Sequence, residues 1–398
     1  MKKVIFRSPL LSISGYGQHA RQIFKYLLKV PNIELNTQIV QWGATPWLIN
    51  PADENGLVGE AMKRTIMPTE KADVSLQLQL PDEWSPDLAN INIGMTAGVE
   101  TDKCSNKWIE SINKMTRVIV PSTHVLNTFN NTGTVTTQVD VIPESFIEEI
   151  ETSNSIFPEK FNTTFNFLIV SQITSPEPSA DRKNTYQAIK SIAETFKNDS
   201  SVGIILKANS GRGTTIDRLN TVNIVKSWLT EIRKISSVPV YLIHGNISNE
   251  EMSSIYKHPS VRALVSLTRG EGFGLPLIEA AAVGVPVIAT NWSGHLDFLN
   301  LGNFIKINYK LSKVPDYKID ERIFVKEAMW AEPDIEDFIR KIKKFRTTHQ
   351  EARKSAIILS NICKKRFSQK AIEEKYHNIL EEYFIWYIFL LQLFVAYL

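Results

Sequence analysis

Cysteine is scarce in this chain. Two occur in 398 residues, Cys104 and Cys363. Neither CxxC nor Cys/His ligand spacing is present, which excludes a disulfide framework and a zinc site of the usual kind. Both thiols read as packing residues in a reducing compartment. An excess of one charge is also missing: Lys and Arg number 45, Asp and Glu 42, for a net charge of +3. A protein that lives on nucleic-acid phosphates shows a larger basic excess or a clustered patch, so no nucleic-acid partner is expected. No ligand cluster implies a metal, and no cofactor is expected beyond the substrates. The N-terminus, Met1-Lys2-Lys3-Val4-Ile5-Phe6, lacks the apolar core of a signal peptide and reads as a first strand. The expected location is cytoplasmic. The uncharged, strongly apolar C-terminal run, Tyr383–Leu398, falls short of the roughly 20 residues that span a bilayer as a helix. It is open to three readings: a buried terminal helix, a poorly ordered end, or an anchor giving peripheral membrane contact.

What is present is ordinary soluble composition, 43% hydrophobic and 22% charged, at a length that suits two domains of roughly 150–200 residues. Strand-like and helix-like segments alternate throughout, the pattern of an α/β protein with parallel, doubly wound sheets. The first series runs from strand 3–7, through strands 35–41, 74–79, 91–95 and 117–120, to strand 139–142. Pro121-Ser122 ends one of these strands, and Ser122 is placed to cap the helix after it. Residues 148–166 are polar and irregular, and the domain boundary falls there. A second series follows, with strands 167–170, 203–207, 240–244, 263–267 and 285–290. The division expected is 1–155 for the N-terminal domain, 163–362 for the C-terminal domain, and 366–398 for a terminal helix plus apolar tail.

The segment from Ala263 to Thr290 carries the most chemistry. A strand leads into Gly270-Glu271-Gly272-Phe273-Gly274, then a helix opening with Pro276 and closed by Gly284. Pro suits the first helical turn, and Gly suits the left-handed cap. Such a strand–turn–helix aims free N–H groups and the positive end of the helix dipole at whatever lies above the turn, for which phosphate is the natural guest. Glu271 and Glu279 flank the turn. Ionised carboxylates accept paired hydrogen bonds from vicinal diols. Alone, Glu279 also reads as dipole compensation and Glu271 as a solvated loop acid.

Glu271-Gly-Phe-Gly-Leu-Pro-Leu-Ile-Glu279-Ala-Ala-Ala-Val-Gly284-Val-Pro286 resembles the Glu-x7-Glu signature of retaining GT-B glycosyltransferases, family 4. The resemblance implies two Rossmann-like domains facing across a cleft, and hexose transfer from a nucleotide-diphosphate sugar to a hydroxyl acceptor, glycan or lipid-linked, as in polysaccharide biosynthesis. It puts the acceptor on the N-terminal domain and the donor on the C-terminal domain. It assigns Glu279 to the donor ribose, Glu271 to the donor sugar, and the backbone of Gly272, Phe273, Gly274 and Leu275 to sugar and phosphate. Asp297 stands where the family often has Glu. Asp181-Arg182-Lys183-Asn184 resembles the family's basic turn, making Lys183 and Arg182 the candidates for the leaving diphosphate, with Lys207 in reach. The family's usual Gly-Arg before it is replaced by Ser171-Gln172. Gly15-Tyr16-Gly17-Gln18 resembles the glycine loop bordering the diphosphate and acceptor. Glu100-Thr101-Asp102 resembles a sub-pattern whose acids, Glu100 and Asp102, face the acceptor or act in catalysis; helix capping is their alternative. Residues 327–342 resemble the family's late helix, and 368–383 its last helix, which crosses back to the N-terminal domain. Competing expectations are a sugar phosphorylase of the same fold and a nucleotide-sugar-binding protein that has lost catalysis.

Overall fold

The computed structural model describes residues 1–66 and 70–385. Two six-stranded parallel sheets organise them. The first contains β1 (Lys2–Ser8), β2 (Ile33–Ile39), β3 (Ala72–Leu78), β4 (Ala89–Met95), β5 (Arg117–Val120) and β6 (Val139–Val141), in the order β2-β1-β3-β4-β5-β6. The second contains β7 (Phe165–Gln172), β8 (Val202–Asn209), β9 (Val240–Ile243), β10 (Val261–Ser266), β11 (Val287–Thr290) and β12 (Ile305–Ile307), in the order β12-β11-β10-β7-β8-β9. Both orders reverse beside the first strand, the crevice where doubly wound sheets bind ligands. A separate antiparallel hairpin joins β13 (Tyr309–Lys313) to β14 (Met329–Pro333). This is the GT-B architecture expected from the sequence.

Central strands read as continuous apolar runs because helices cover both faces of each sheet. Val4, Ile5 and Phe6 are all buried in β1, as are Phe167, Leu168 and Ile169 in β7. One apolar cluster crosses from sheet to sheet, from Val4 and Phe6 through Phe273 and Leu277 to Tyr376 and Leu380. Helix Gln369–Phe384 packs on helix Gly15–Leu27, and Tyr376 Oη lies 3.0 Å from His19 Nε2. Among the described residues no helix is long and apolar enough to cross a membrane. The apolar tail beyond Ile385 lies outside them.

Three local expectations are corrected. Gly15–Gln18 is not a loop but the first turn of helix Gly15–Leu27, because Ser14 Oγ accepts from Gly17 N (3.1 Å) and starts the helix four residues early. The stretch 327–333 is not helix: Met329–Pro333 is strand β14, paired along its whole length with β13, and the helix begins only at Ile335 behind the Asp334 cap. Helix Leu57–Lys63 follows a left-handed Gly56 and was not expected at all.

Candidate active site

The carboxyl ends of β7 and β10 deliver two loops to one point. After β10 the chain turns through Gly270–Gly274 and enters helix Leu275–Val283, with Pro276 in its first turn and Gly284 left-handed at its end (φ 79°). Gly274 itself has φ 104°, a left-handed conformation that disfavours any residue with a Cβ. Gly270 and Gly272 serve a different need. A Cβ on Gly270 would sit 2.2 Å from Glu100 O, and one on Gly272 2.3 Å from Ala97 O. The turn thus packs directly against the segment after β4 of the other domain. Arg269 braces it from behind, with Nε 2.6 Å and Nη2 3.0 Å from the Glu332 carboxylate and Nη1 2.5 Å from Asp181 O.

Asp181 in turn organises the basic loop, accepting from the backbone N–H groups of Thr174 and Thr185. This sets Arg182 and Lys183 over the glycine turn. Lys183 Nζ is 2.6 Å from Glu271 Oε1, Arg182 Nη1 is 3.6 Å from Glu271 Oε2, and Arg182 Nη2 is 3.0 Å from Glu100 Oε1. Burial works to raise the Glu271 carboxyl, but the two cations overcome it and hold it at about 2. The same burial lowers the Lys183 ammonium from its ordinary range.

Glu279 is buried on the facing side of helix Leu275–Val283. Tyr256 Oη donates to its Oε2 (2.8 Å) and Gln18 Nε2 to its Oε1 (3.2 Å). Burial pushes it up to about 7, against those two hydrogen bonds. Lys207 is lowered to about 8 by burial, and its Nζ donates to Gly245 O (2.8 Å).

These groups line a cleft between the sheets with two chambers. The larger, about 630 Å³, is lined by Gly15, Tyr16, Glu100, Arg182, Lys183, Glu271, Gly272, Phe273, Gly274 and Leu275, together with Glu144, His19 and Trp42. The smaller, about 300 Å³, is lined by Gln18, Lys207 and Glu279, and shares Gly15 and Leu275 with the first. Trp42 stacks on Tyr16 with ring centroids 3.7 Å apart. Two candidates lie elsewhere. Asp102 lines neither chamber; its Oδ1 accepts from Met329 N (2.6 Å), tying β14 to the N-terminal domain. Gly17 is packed under the Ser12 carbonyl, which a Cβ would approach to 1.9 Å. Asp297 Oδ2 accepts from Thr123 N (2.7 Å) at the start of helix Thr123–Thr132, which is again a contact between domains.

The segment that carries the cleft's two acids is similar to a known family. Residues 240–310, which contain Glu271 and Glu279, match the family described as "Glycosyl transferases group 1", and the chain carries that segment on a GT-B fold. A 135-residue stretch is 28% identical to a probable sucrose-phosphate synthase 4 of Oryza sativa subsp. japonica, covering 31% of this chain and 12% of the rice protein, so the match spans only a small part of that relative. A glycosyltransferase of Rickettsia africae ESF-5 is similar over 96% of this chain and 98% of its own, with a TM-score of 0.64 at 16% identity. A sucrose-phosphate synthase of Thermosynechococcus elongatus is similar over 96% and 99%, with a TM-score of 0.60 at 12% identity. A structure from E. coli, described as trehalose-6-phosphate bound with UDP-2-fluoro glucose, is similar over 95% and 98%, with a TM-score of 0.62 at 10% identity. Likeness at these identities concerns the fold.

Proposed function

We propose that the protein transfers a hexose from a nucleotide-diphosphate sugar to a hydroxyl of a glycan or lipid-linked acceptor, with retention of anomeric configuration and without a bound metal. The observation that carries this reading is the cluster of Glu271, Lys183 and Arg182 at the start of helix Leu275–Val283, with Glu279 one chamber away. In this reading the C-terminal domain holds the donor and the N-terminal domain presents the acceptor. The donor ribose occupies the smaller chamber and gives its hydroxyls to Glu279 in place of the Gln18 and Tyr256 bonds. The diphosphate lies over the helix start. The sugar reaches into the larger chamber beside Glu271.

The chemistry then needs positioning and charge more than a nucleophile from the protein. As the bond between the anomeric carbon and the phosphate oxygen breaks, Lys183, Arg182 and the helix N–H groups receive the growing diphosphate charge. A donor phosphate oxygen takes the proton of the acceptor hydroxyl, and the acceptor oxygen bonds to the anomeric carbon on the same face. Glu271, held ionised, faces the positive charge that develops on the sugar.

Thermal-shift measurements with uridine, guanosine and adenosine diphosphate sugars test the reading. Uridine comes first, because one fold relative is described with a UDP sugar bound. At least one donor should raise the melting temperature. Glu279→Ala should remove that shift, and Glu271→Gln should keep the shift and lose turnover. The reading fails if no nucleotide sugar shifts the protein. Release of sugar 1-phosphate dependent on inorganic phosphate would replace it with a phosphorylase, and donor binding without transfer in the wild type would replace it with a binding protein.

A further inference from the structure

Glu144 lies three residues beyond β6, lines the larger chamber and is 4% exposed. His19, 3% exposed, lines the same chamber. Glu144 Oε1 and His19 Nδ1 are 4.0 Å apart, too far for a hydrogen bond, and neither Glu144 Oε2 nor His19 Nδ1 has a partner. Unsatisfied buried polar atoms cost about 1–3 kcal/mol each, so two in one spot at a chamber wall favour a polar guest.

The pair is also held in place with care. His19 Nε2 is fixed by Tyr376 Oη at 3.0 Å. The turn bearing Glu144 is clamped on both sides of Ser145: Gln22 Oε1 accepts from Ser145 N (2.9 Å) while Gln22 Nε2 donates to Ser145 O (2.8 Å). Gln369 accepts from Ser145 Oγ (3.0 Å) and donates to Gln22 O (2.9 Å). Gln369 and Tyr376 both belong to helix Gln369–Phe384. The terminal helix therefore braces both members of the pair, which binding and catalytic groups need and core-filling groups do not.

The chemistry of the pair selects its guest. Burial pushes Glu144 up to about 8, reinforced by the nearby carboxyls of Glu279 and Glu271, and burial drives His19 down to about 3. Near neutral pH both are uncharged, one a carboxylic acid and one an imidazole, so each can donate or accept. An anion is poorly served, since the charges that act on Glu144 are the carboxyls of Glu279 and Glu271. A hydroxyl oxygen about 2.8 Å from each atom fits the 4.0 Å gap, giving its proton to one and taking a hydrogen bond from the other.

We infer that Glu144 and His19 form a subsite for one hydroxyl of the transferred sugar, with Gln22, Gln369 and Tyr376 as its positioning residues. This rests on the transfer reading above and adds the group that reads the sugar rather than the nucleotide. The probes are UDP, GDP and ADP with UDP-glucose, GDP-mannose and ADP-glucose, titrated by calorimetry, and the readout is the ratio of nucleotide-sugar to nucleoside-diphosphate affinity. Glu144→Ala should lower that ratio about tenfold while the nucleoside diphosphate alone binds within about twofold of wild type. Glu144→Gln, which keeps a donor and an acceptor, should retain most of the ratio. Glu144→Ser serves the same purpose as Glu144→Ala should the latter fail to fold. An unchanged ratio in the Ala or Ser variant overturns the subsite, as does equal weakening of both ligands, which marks a structural role. A wild type that binds none of the six compounds sinks the transfer reading itself, and the subsite with it.

Discussion

At the contact of Lys183 with Glu271, opposite charges meet in a site largely withdrawn from water, where each is worth more than it would be at the surface. In the proposed reaction a donor diphosphate would compete with Glu271 for the same ammonium. Lys183→Ala should therefore lower kcat by about 10² to 10³, with a smaller effect on nucleoside binding, measured by steady-state turnover beside calorimetry. Equal losses in both would move Lys183 to a binding role only. A second residue-scale prediction concerns pH. Glu144 and Glu279 are raised to about 8 and about 7 by burial, so between the ordinary carboxyl range and those values the folded state binds more protons than the unfolded state. Stability accordingly falls as pH rises through that window. His19 and His124, lowered by burial to about 3 and about 4, have the opposite slope, but their contribution levels off above the ordinary histidine value near 6.5. Lys207 acts only above about 8. From pH 6.5 to 8 the two acids should cost the ligand-free protein on the order of 2 kcal/mol. The lowered His19, His124, His244, His258 and His295 partly offset that loss, and Glu144→Gln should remove most of the acids' share in urea titrations. An unchanged fall in the variant would show that the carboxyl is already ionised in the folded protein. None of this was legible for Glu144. A lone acid after Ile142-Pro143 carries no local signal, and its burial depends on two helices distant in sequence.

The glycine turn was read from the sequence with the right boundaries and an incomplete reason. Pro276 and Gly284 are local signals, and helix Leu275–Val283 begins and ends where they place it. The turn's N–H groups were read as aimed at a ligand, and Gly270 and Gly272 also give room to the backbone of residues 97–100, a contact no local pattern announces. Gly272→Ala should therefore act across the domain boundary. With Ala97 O only 2.3 Å from the new Cβ and the Ser122 Oγ bond to Gly272 O (2.5 Å) on the same peptide, the turn must shift. Turnover should drop at least about tenfold and the melting temperature by a few degrees. Normal activity in that variant would mean that the turn and the 97–100 segment separate freely. The misread strand Met329–Pro333 has a similar cause. It is strand because β13 pairs with it and because Trp330 packs under Arg269, whose guanidinium carbon is 5.3 Å from the ring centroid.

On the scale of the whole molecule, the two sheets meet along one flank of the cleft through contacts that the candidate acids themselves supply. Asp297 accepts from Thr123 N, Asp102 from Met329 N, and Arg322 reaches Asp82 and Glu83 across the same boundary. Asp102 was singled out by resemblance, and Asp297 stands where the family often has Glu; in the structure each side chain satisfies a backbone donor of the opposite domain. Such bonds are individually modest, about 0.5–2 kcal/mol for a helix cap, yet together they would bias any open–closed equilibrium of the two domains, as would a donor bound between them in the proposed reaction. The double variant Asp102→Ala, Asp297→Ala should therefore show a larger radius of gyration by solution scattering when ligand-free, and saturating nucleotide sugar should return it to the wild-type value. Because the variant must spend donor binding energy on closure, its KM for the donor should rise about tenfold while kcat changes little. An unchanged radius would show that apolar packing alone holds the domains together. A fall in kcat at constant KM would return Asp102 or Asp297 to the chemistry and remove it from the clasp.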